Sequence, residues 1–190
     1  MFYEKSSSFQ NSILALNQGK IIAYPTETVF GLGCDPDNEK AVNQLFLLKQ
    51  RSWNKGLILI AGTYEQLLSY IDDNKLTNLQ KEMIISTESK TITTWVVPVK
   101  KNIPKWLTGK FDSLAVRITN LKLIKNLCFL YDKPLISTSA NLSGLLPCRT
   151  KEEVIAQFSD QVCILDGYID KRNNPSEIRD IITGHLYRKG

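Results

Sequence analysis

The stretch from Lys20 to Cys34, KIIAYPTETVFGLGC, constrains the chain more than any other. Ile21 to Tyr24 is a short apolar, β-branched run of the kind that forms a buried strand. Pro25 has no N–H to give to a ladder and is expected to stop that strand. Thr26, Glu27 and Thr28 follow at its mouth, and Gly31 and Gly33 then allow the backbone to turn sharply or to pass close to another group. In open α/β sheets ligands collect outside the carboxyl ends of strands, so this end is a candidate ligand floor. An ordinary strand and turn with solvated threonines would fit the same residues. What favours the ligand floor is a second stretch, Leu135 to Gly144, with the same design. There an apolar pair, Leu135 and Ile136, runs into Ser137, Thr138, Ser139, Asn141, Ser143 and Gly144.

The rest of the pattern alternates strands with helices. Helices are expected from Ser8 to Asn17, from the Asn38 cap to Lys49, from Thr63 to Tyr70, from Thr77 to Ile85, from Leu121 to Tyr131 and from Thr150 to Phe158. Strands are expected at Gly56 to Ala61, Thr91 to Val99, Ser113 to Thr119, Leu135 to Ser139, Cys163 to Asp166 and Ser176 to Ile182. Interleaving of this kind predicts an α/β fold, a twisted mixed β-sheet with flanking helices. At 190 residues, with no linker or repeat, residues 1–190 are expected to form a single domain.

Composition excludes several classes of protein. No apolar run is long enough to span a bilayer, and the polar N-terminus lacks a signal core, so a cytoplasmic protein is expected. Cys34, Cys128, Cys148 and Cys163 are scattered without a Cys-x-x-Cys pair, which argues against a zinc site or a disulfide framework. With His185 the sole histidine, a Ser-His-Asp triad or a His-ligated metal is not expected, and no metal-ligating residue is assigned. A Walker loop and a Gly-x-Gly-x-x-Gly fingerprint are also missing, so any use of ATP would need a different kind of site. The net charge of +5 suits an anionic partner such as a nucleotide or a nucleic acid. A non-catalytic module binding tRNA or ribosomal RNA through a basic face is the alternative that this charge supports.

Three cations, Lys49, Arg51 and Lys55, fall just before the buried run at Leu57. In extended backbone Lys49 and Arg51 would point the same way and could converge on a polyphosphate, although cations also favour a helix C-terminus without any ligand. Arg117 lies inside an apolar strand and needs either an acidic partner or an anionic ligand. Ser137, Ser139 and Asn141 alternate, so one strand face would present two hydroxyls and an amide to a phosphate or a purine edge.

Taken together and in order, these motifs resemble a known family. The motifs are Tyr24-Pro25-Thr26-Glu27-Thr28-Val29-Phe30-Gly31-Leu32-Gly33, Lys49-x-Arg51 with Lys55-Gly56-Leu57-Ile58, Ala115-Val116-Arg117, Ser137-Thr138-Ser139-Ala140-Asn141-x-Ser143-Gly144, and Asn174-Pro175-Ser176-Glu177-Ile178. They are similar to the YrdC family of threonylcarbamoyl-adenylate synthases, in its short bacterial TsaC form. The similarity runs from about Ile13 to Gly190.

The resemblance implies a YrdC-like sheet with a basic concave face. It implies an enzyme, a nucleotidyltransferase that makes threonylcarbamoyl-AMP and pyrophosphate from L-threonine, bicarbonate or CO2, and ATP, with Mg2+ accompanying the ATP. Separate transferase partner proteins would pass the group to an adenosine of tRNA, and the basic face would offer this chain a tRNA contact of its own. Carried over by position, the resemblance gives Thr28, Arg117 and Ser137 to L-threonine. It gives Lys49, Arg51 and Lys55 to catalysis and the triphosphate, and Ser113, Ser139, Asn141 and Ser143 to the nucleotide. Two departures, Ser52 in place of a proline and Glu88-Ser89-Lys90-Thr91 in place of Trp-Pro-Gly-Pro, are expected to loosen two loops beside the cleft.

Overall fold

The computed structural model describes residues 6–86, 92–169 and 175–190. The helices are α1 (Ser7–Asn17), α2 (Glu39–Lys49), α3 (Asn78–Ile85), α4 (Lys105–Thr108), α5 (Lys122–Tyr131) and α6 (Lys151–Phe158). The strands are β1 (Ile22–Pro25), β2 (Phe30–Gly33), β3 (Ile58–Ala61), β4 (Thr93–Pro98), β5 (Ser113–Ile118), β6 (Leu135–Ser139), β7 (Cys163–Ile164), β8 (Glu177–Asp180) and β9 (Leu186–Arg188). They form one mixed sheet in the order β7-β1-β2-β6-β3-β5-β4-β8-β9. β3 runs parallel to β5 and β4 parallel to β8, whereas β6 lies between β2 and β3 and is antiparallel to both. The twisted mixed sheet read from the sequence is the observed architecture.

Strand alternation sends side chains to two faces. One face carries Ala23, Leu32, Leu59, Val97, Val116 and Ile136, which pack under α2, α3, α4 and α6 in the larger core. The opposite face carries Ile22, Tyr24, Ile60 and Leu135, and α1 and α5 cover it with Phe9, Leu16, Ile124 and Leu127. That cover is partial. Further along the same face come Ala115, Arg117, Ser137 and Ser139, and these line a cavity instead.

Several expectations are corrected. Of the two readings of Gly31 and Gly33 the close approach holds and the turn does not: both lie in β2, antiparallel to β1. The Tyr24 ring of β1 lies across both glycines. A Cβ on Gly33 would be 2.9 Å from that ring and would strike the Ile136 carbonyl oxygen, while one on Gly31 would be 3.1 Å from the ring. Pro25 is the last residue of β1, so the strand stops at this proline as expected. The helix expected from Thr63 to Tyr70 is only a 3-10 turn at Glu65–Leu67. Its Gln66 side chain accepts from the Gly62 and Thr63 N–H groups and donates to the Cys128 carbonyl, anchoring the turn to α5. The short α4 and β9 had no sequence counterpart. Ser52, expected to loosen its loop, caps a 3-10 turn, Trp53–Lys55, and Gly56 follows at φ 62°. The Glu88 to Thr91 departure and Asn174 lie outside the described residues.

Candidate functional site

The uncovered half of the face forms the floor of a cavity of about 410 Å³, a size suited to a small-molecule ligand. The β1–β2 turn contributes Thr26, Glu27 and Thr28 to its lining, and the loop into β3 contributes Arg51, Lys55 and Gly56. β5 supplies Ser113, Ala115 and Arg117, and β6 supplies Ser137 and Ser139. Thr94, Ser176, Ile178, Tyr187 and Arg188 make the far wall. Two chain segments about as distant as Glu27 and Arg117, 90 positions apart, therefore meet in one hollow.

Arg117 takes the alternative that the sequence left open. Its Nη1 donates to Glu27 Oε2 at 2.8 Å, and the Thr119 hydroxyl donates to Glu27 Oε1 at 3.3 Å. Both side chains of the pair are about nine-tenths buried, with exposures of 10% and 11%. A guanidinium has five N–H donors, so Arg117 can keep Glu27 and still present an edge to a second carboxylate. Thr26 is a turn residue: its N–H and its hydroxyl both donate to the Val29 carbonyl, at 3.0 and 2.6 Å. That turn fixes the direction of Glu27 and Thr28. Ser137 sits beside the Tyr24 phenol, whose pKa burial raises, so the phenol stays a neutral hydrogen-bonding group.

Arg51 spends Nη2 on the Gly56 carbonyl at 2.9 Å, and its buried Nε has no partner among the described residues. Burial pushes its pKa down. Lys55 is exposed at the cavity wall.

Lys49 behaves differently from its expected partner Arg51. It ends α2, and Gln50 turns left-handed at φ 50°, so the two cations diverge instead of sharing an extended face. The Lys49 ammonium points behind β6. It donates to the Ser139 carbonyl, to the Asn141 carbonyl at 2.7 Å and to Asn141 Oδ1 at 3.4 Å. Burial, with a smaller contribution from Arg51, lowers its pKa to about 8. Asn141 lies past the end of β6, so it does not alternate with Ser137 and Ser139; its amide nitrogen donates to the Leu142 and Leu145 carbonyls. Ser143 donates from its hydroxyl and its N–H to the Lys49 carbonyl, at 2.8 and 3.0 Å. Lys49, Asn141 and Ser143 thus lock a turn behind the cavity and do not line it. Thr28, Arg117, Ser137, Arg51, Lys55, Ser113 and Ser139 do line it.

Arg188 was missed. Its Nε and Nη2 donate to the Ser176 carbonyl at 3.0 and 2.7 Å, and Ser176 Oγ is 2.8 Å from Thr94 Oγ1. Burial, and then the charge of Arg117, lowers its pKa. The available signal was Thr183-Gly184 between two β-prone pairs, a hairpin that returns Leu186–Arg188 along β8.

The fold and the cavity define a class: an α/β protein with a half-covered sheet face whose cavity is lined, among the described residues, by three arginines, a lysine, one carboxylate and several hydroxyls. Comparison with known proteins narrows that class. Residues 14–190 match the Sua5/YciO/YrdC domain model, described as "Telomere recombination", and the chain belongs to this family. Over 190 residues, all of both chains, it is 57% identical to a threonylcarbamoyl-AMP synthase of Photorhabdus laumondii. It is 56% identical over 187 residues to one of Yersinia enterocolitica, covering 98% of each. A crystal structure of P. abyssi Sua5 complexed with L-threonine superposes with a TM-score of 0.81 at 29% identity, over 90% of this chain and 50% of that one. The chain therefore spans about half the length of that Sua5. E. coli YciO, at 21% identity and a TM-score of 0.79, shares the fold.

Proposed function

We propose that this protein is a threonylcarbamoyl-AMP synthase, a nucleotidyltransferase that converts L-threonine, bicarbonate or CO2, and ATP into threonylcarbamoyl-AMP and pyrophosphate. The observation that carries the reading is the convergence of Arg117, Thr28 and Ser137 with Arg51, Lys55, Ser113 and Ser139 in one cavity. Full-length identity of 57% to a synthase of that name supports it.

In this reading Arg117 binds the threonine carboxylate with the edge that Glu27 leaves free, and Thr28 and Ser137 fix the rest of the amino acid. The amine captures carbon to give a carbamate, one carbamate oxygen attacks the α-phosphate, and pyrophosphate leaves. Ser113 and Ser139 hold the nucleotide. Arg51 and Lys55, with Arg188 opposite, meet the charge that grows on pyrophosphate. Lys49, Asn141 and Ser143 serve from behind by holding the Ser139 carbonyl in place. Carbamates are short-lived in water, so orientation in a small cavity supplies much of the rate.

The donor set does not fit a resident Mg2+. The one carboxylate among the described lining residues is paired with Arg117, and the described residues hold no cluster of three or more metal-ligating side chains. Mg2+ is accordingly part of the substrate, carried in on the ATP phosphates. The product would go to transferase proteins that act on tRNA in the cytoplasm. The test is pyrophosphate release: it should require ATP, threonine and bicarbonate together, and release that ignores threonine or bicarbonate would refute the reading.

A further inference from the structure

The reaction proposed above, on which this inference rests, contains a proton problem. Near neutral pH the amine of an amino acid is an ammonium, and its nitrogen has no lone pair with which to attack carbon. A base must take that proton before the carbamate bond can form. The described lining residues offer few candidates. Arg51, Lys55, Arg117 and Arg188 are cations, and the lining includes no histidine or cysteine. The Tyr187 phenol has its pKa raised, by burial first and then by Asp180, so it does not supply a phenolate. Glu27 is the one carboxylate among the described lining residues.

Its setting suits the task. Glu27 is 8% exposed, stands next to Thr28 and is aimed by the Thr26 turn. Among the described residues each of its oxygens accepts one hydrogen bond, from Arg117 or from Thr119, and a carboxylate oxygen can accept a second. The ammonium and the carboxylate of threonine hang from one α-carbon. A carboxylate seated on Arg117 therefore brings the ammonium beside the acid that already shares that guanidinium. A zwitterion is matched by an ion pair of opposite polarity. Among the described lining residues the other charges are those of Arg51 and Lys55 on the β3 side and Arg188 on β9, and all three cations favour the neutral amine.

We propose that Glu27 binds the α-ammonium of threonine and accepts its proton as the carbamate forms. The nitrogen passes one proton to the carboxylate, and its freed lone pair makes the N–C bond. With CO2, a second proton leaves the nitrogen through water. With bicarbonate, the C–O bond breaks and hydroxide departs with that proton as water. Glu27 returns its proton to solvent, and attack of the carbamate oxygen on the α-phosphate needs no further proton transfer.

Glu27→Gln keeps the shape and still accepts from Arg117, but it holds neither the charge nor the proton. Threonine-dependent pyrophosphate release, measured across pH, should fall about 100-fold or more at pH 7. The residual rate should rise roughly tenfold per pH unit as free amine accumulates in solution, a slope the wild-type enzyme lacks. Calorimetric binding of ATP alone should be unchanged. Glu27→Asp, which retains a base, should recover part of the rate. A Glu27→Gln rate within a few-fold of wild type, or one with the wild-type pH profile, would overturn the proposal. So would equal loss in Glu27→Gln and Glu27→Asp accompanied by loss of ATP binding and thermal stability, which is the signature of a purely structural pair. Wild-type protein that releases no pyrophosphate with threonine would instead refute the synthase reading itself, and the proposal would fall with it.

Discussion

The same face of one sheet is used in two ways, and the boundary is sharp. Ile60 on β3 and Arg117 on β5 are direct register partners. Ile60 lies at 0% exposure under α1 and α5, while Arg117 looks into the cavity. β6 makes the same transition along its own length, from Leu135 under the helices to Ser137 and Ser139 in the open. Under the helices the face is paid for by apolar contact. In the open half the floor carries ionic and hydroxyl groups that are only partly satisfied, and they keep binding capacity in reserve. Stability and function should therefore separate along this line.

Arg117→Ala tests the open half most severely. It removes the proposed carboxylate anchor and leaves Glu27 buried and unpaired. Threonine-dependent turnover should drop by roughly 10²–10⁴-fold, and stability should fall by about 3–5 kcal/mol. ATP binding to the protein that remains folded should change far less. Equal loss of ATP and threonine binding would break the division of labour within the cavity.

Ile60→Ala tests the covered half at the adjacent register position. A cavity left under α5 should cost about 2–5 kcal/mol in denaturant unfolding, with turnover per folded molecule close to wild type. A large fall in turnover at preserved stability would erase the boundary.

Gly33→Ala sharpens the comparison from the back of β2. The added methyl meets the Tyr24 ring and the Ile136 carbonyl, so about 1–3 kcal/mol of destabilisation is expected. Tyr24 lies beside Ser137, so the KM for threonine should rise with it.

The smallest expected effect concerns Lys49. Its pKa is depressed to about 8 from an ordinary 10.5, so between those values the unfolded chain binds the extra proton and stability gained from this group rises with pH. As pH falls through about 8, that gain is lost. Lys49→Met should remove this slope between pH 8 and 10.5 in unfolding titrations.

The two halves were not equally legible in the sequence. The covered half was legible as elements: the apolar run Ile21 to Tyr24 reads as a buried strand and Leu121 to Tyr131 as a helix, and their apolar side chains pack together. The open half was legible in its chemistry, since Arg117 inside an apolar strand and the serines of β6 demanded polar company. What escaped depended on contacts distant in sequence. Glu27 as the partner of Arg117 is set by strand order. The two glycines of β2 suggested either a turn or a close approach, and what decides for the approach, the Tyr24 ring, lies on a neighbouring strand. Lys49 was misdirected by one left-handed residue, Gln50, which carries no glycine to mark it. Arg188 depended on a three-residue strand too short to show a period.

A structure of the protein bound to L-threonine and a non-hydrolysable ATP analogue tests the central claim most directly. The account predicts the threonine carboxylate within about 3 Å of the Arg117 guanidinium, with the phosphates beside Arg51 and Lys55. Threonine seated away from Arg117, or phosphates gathered on the Lys49 side of β6, would contradict it.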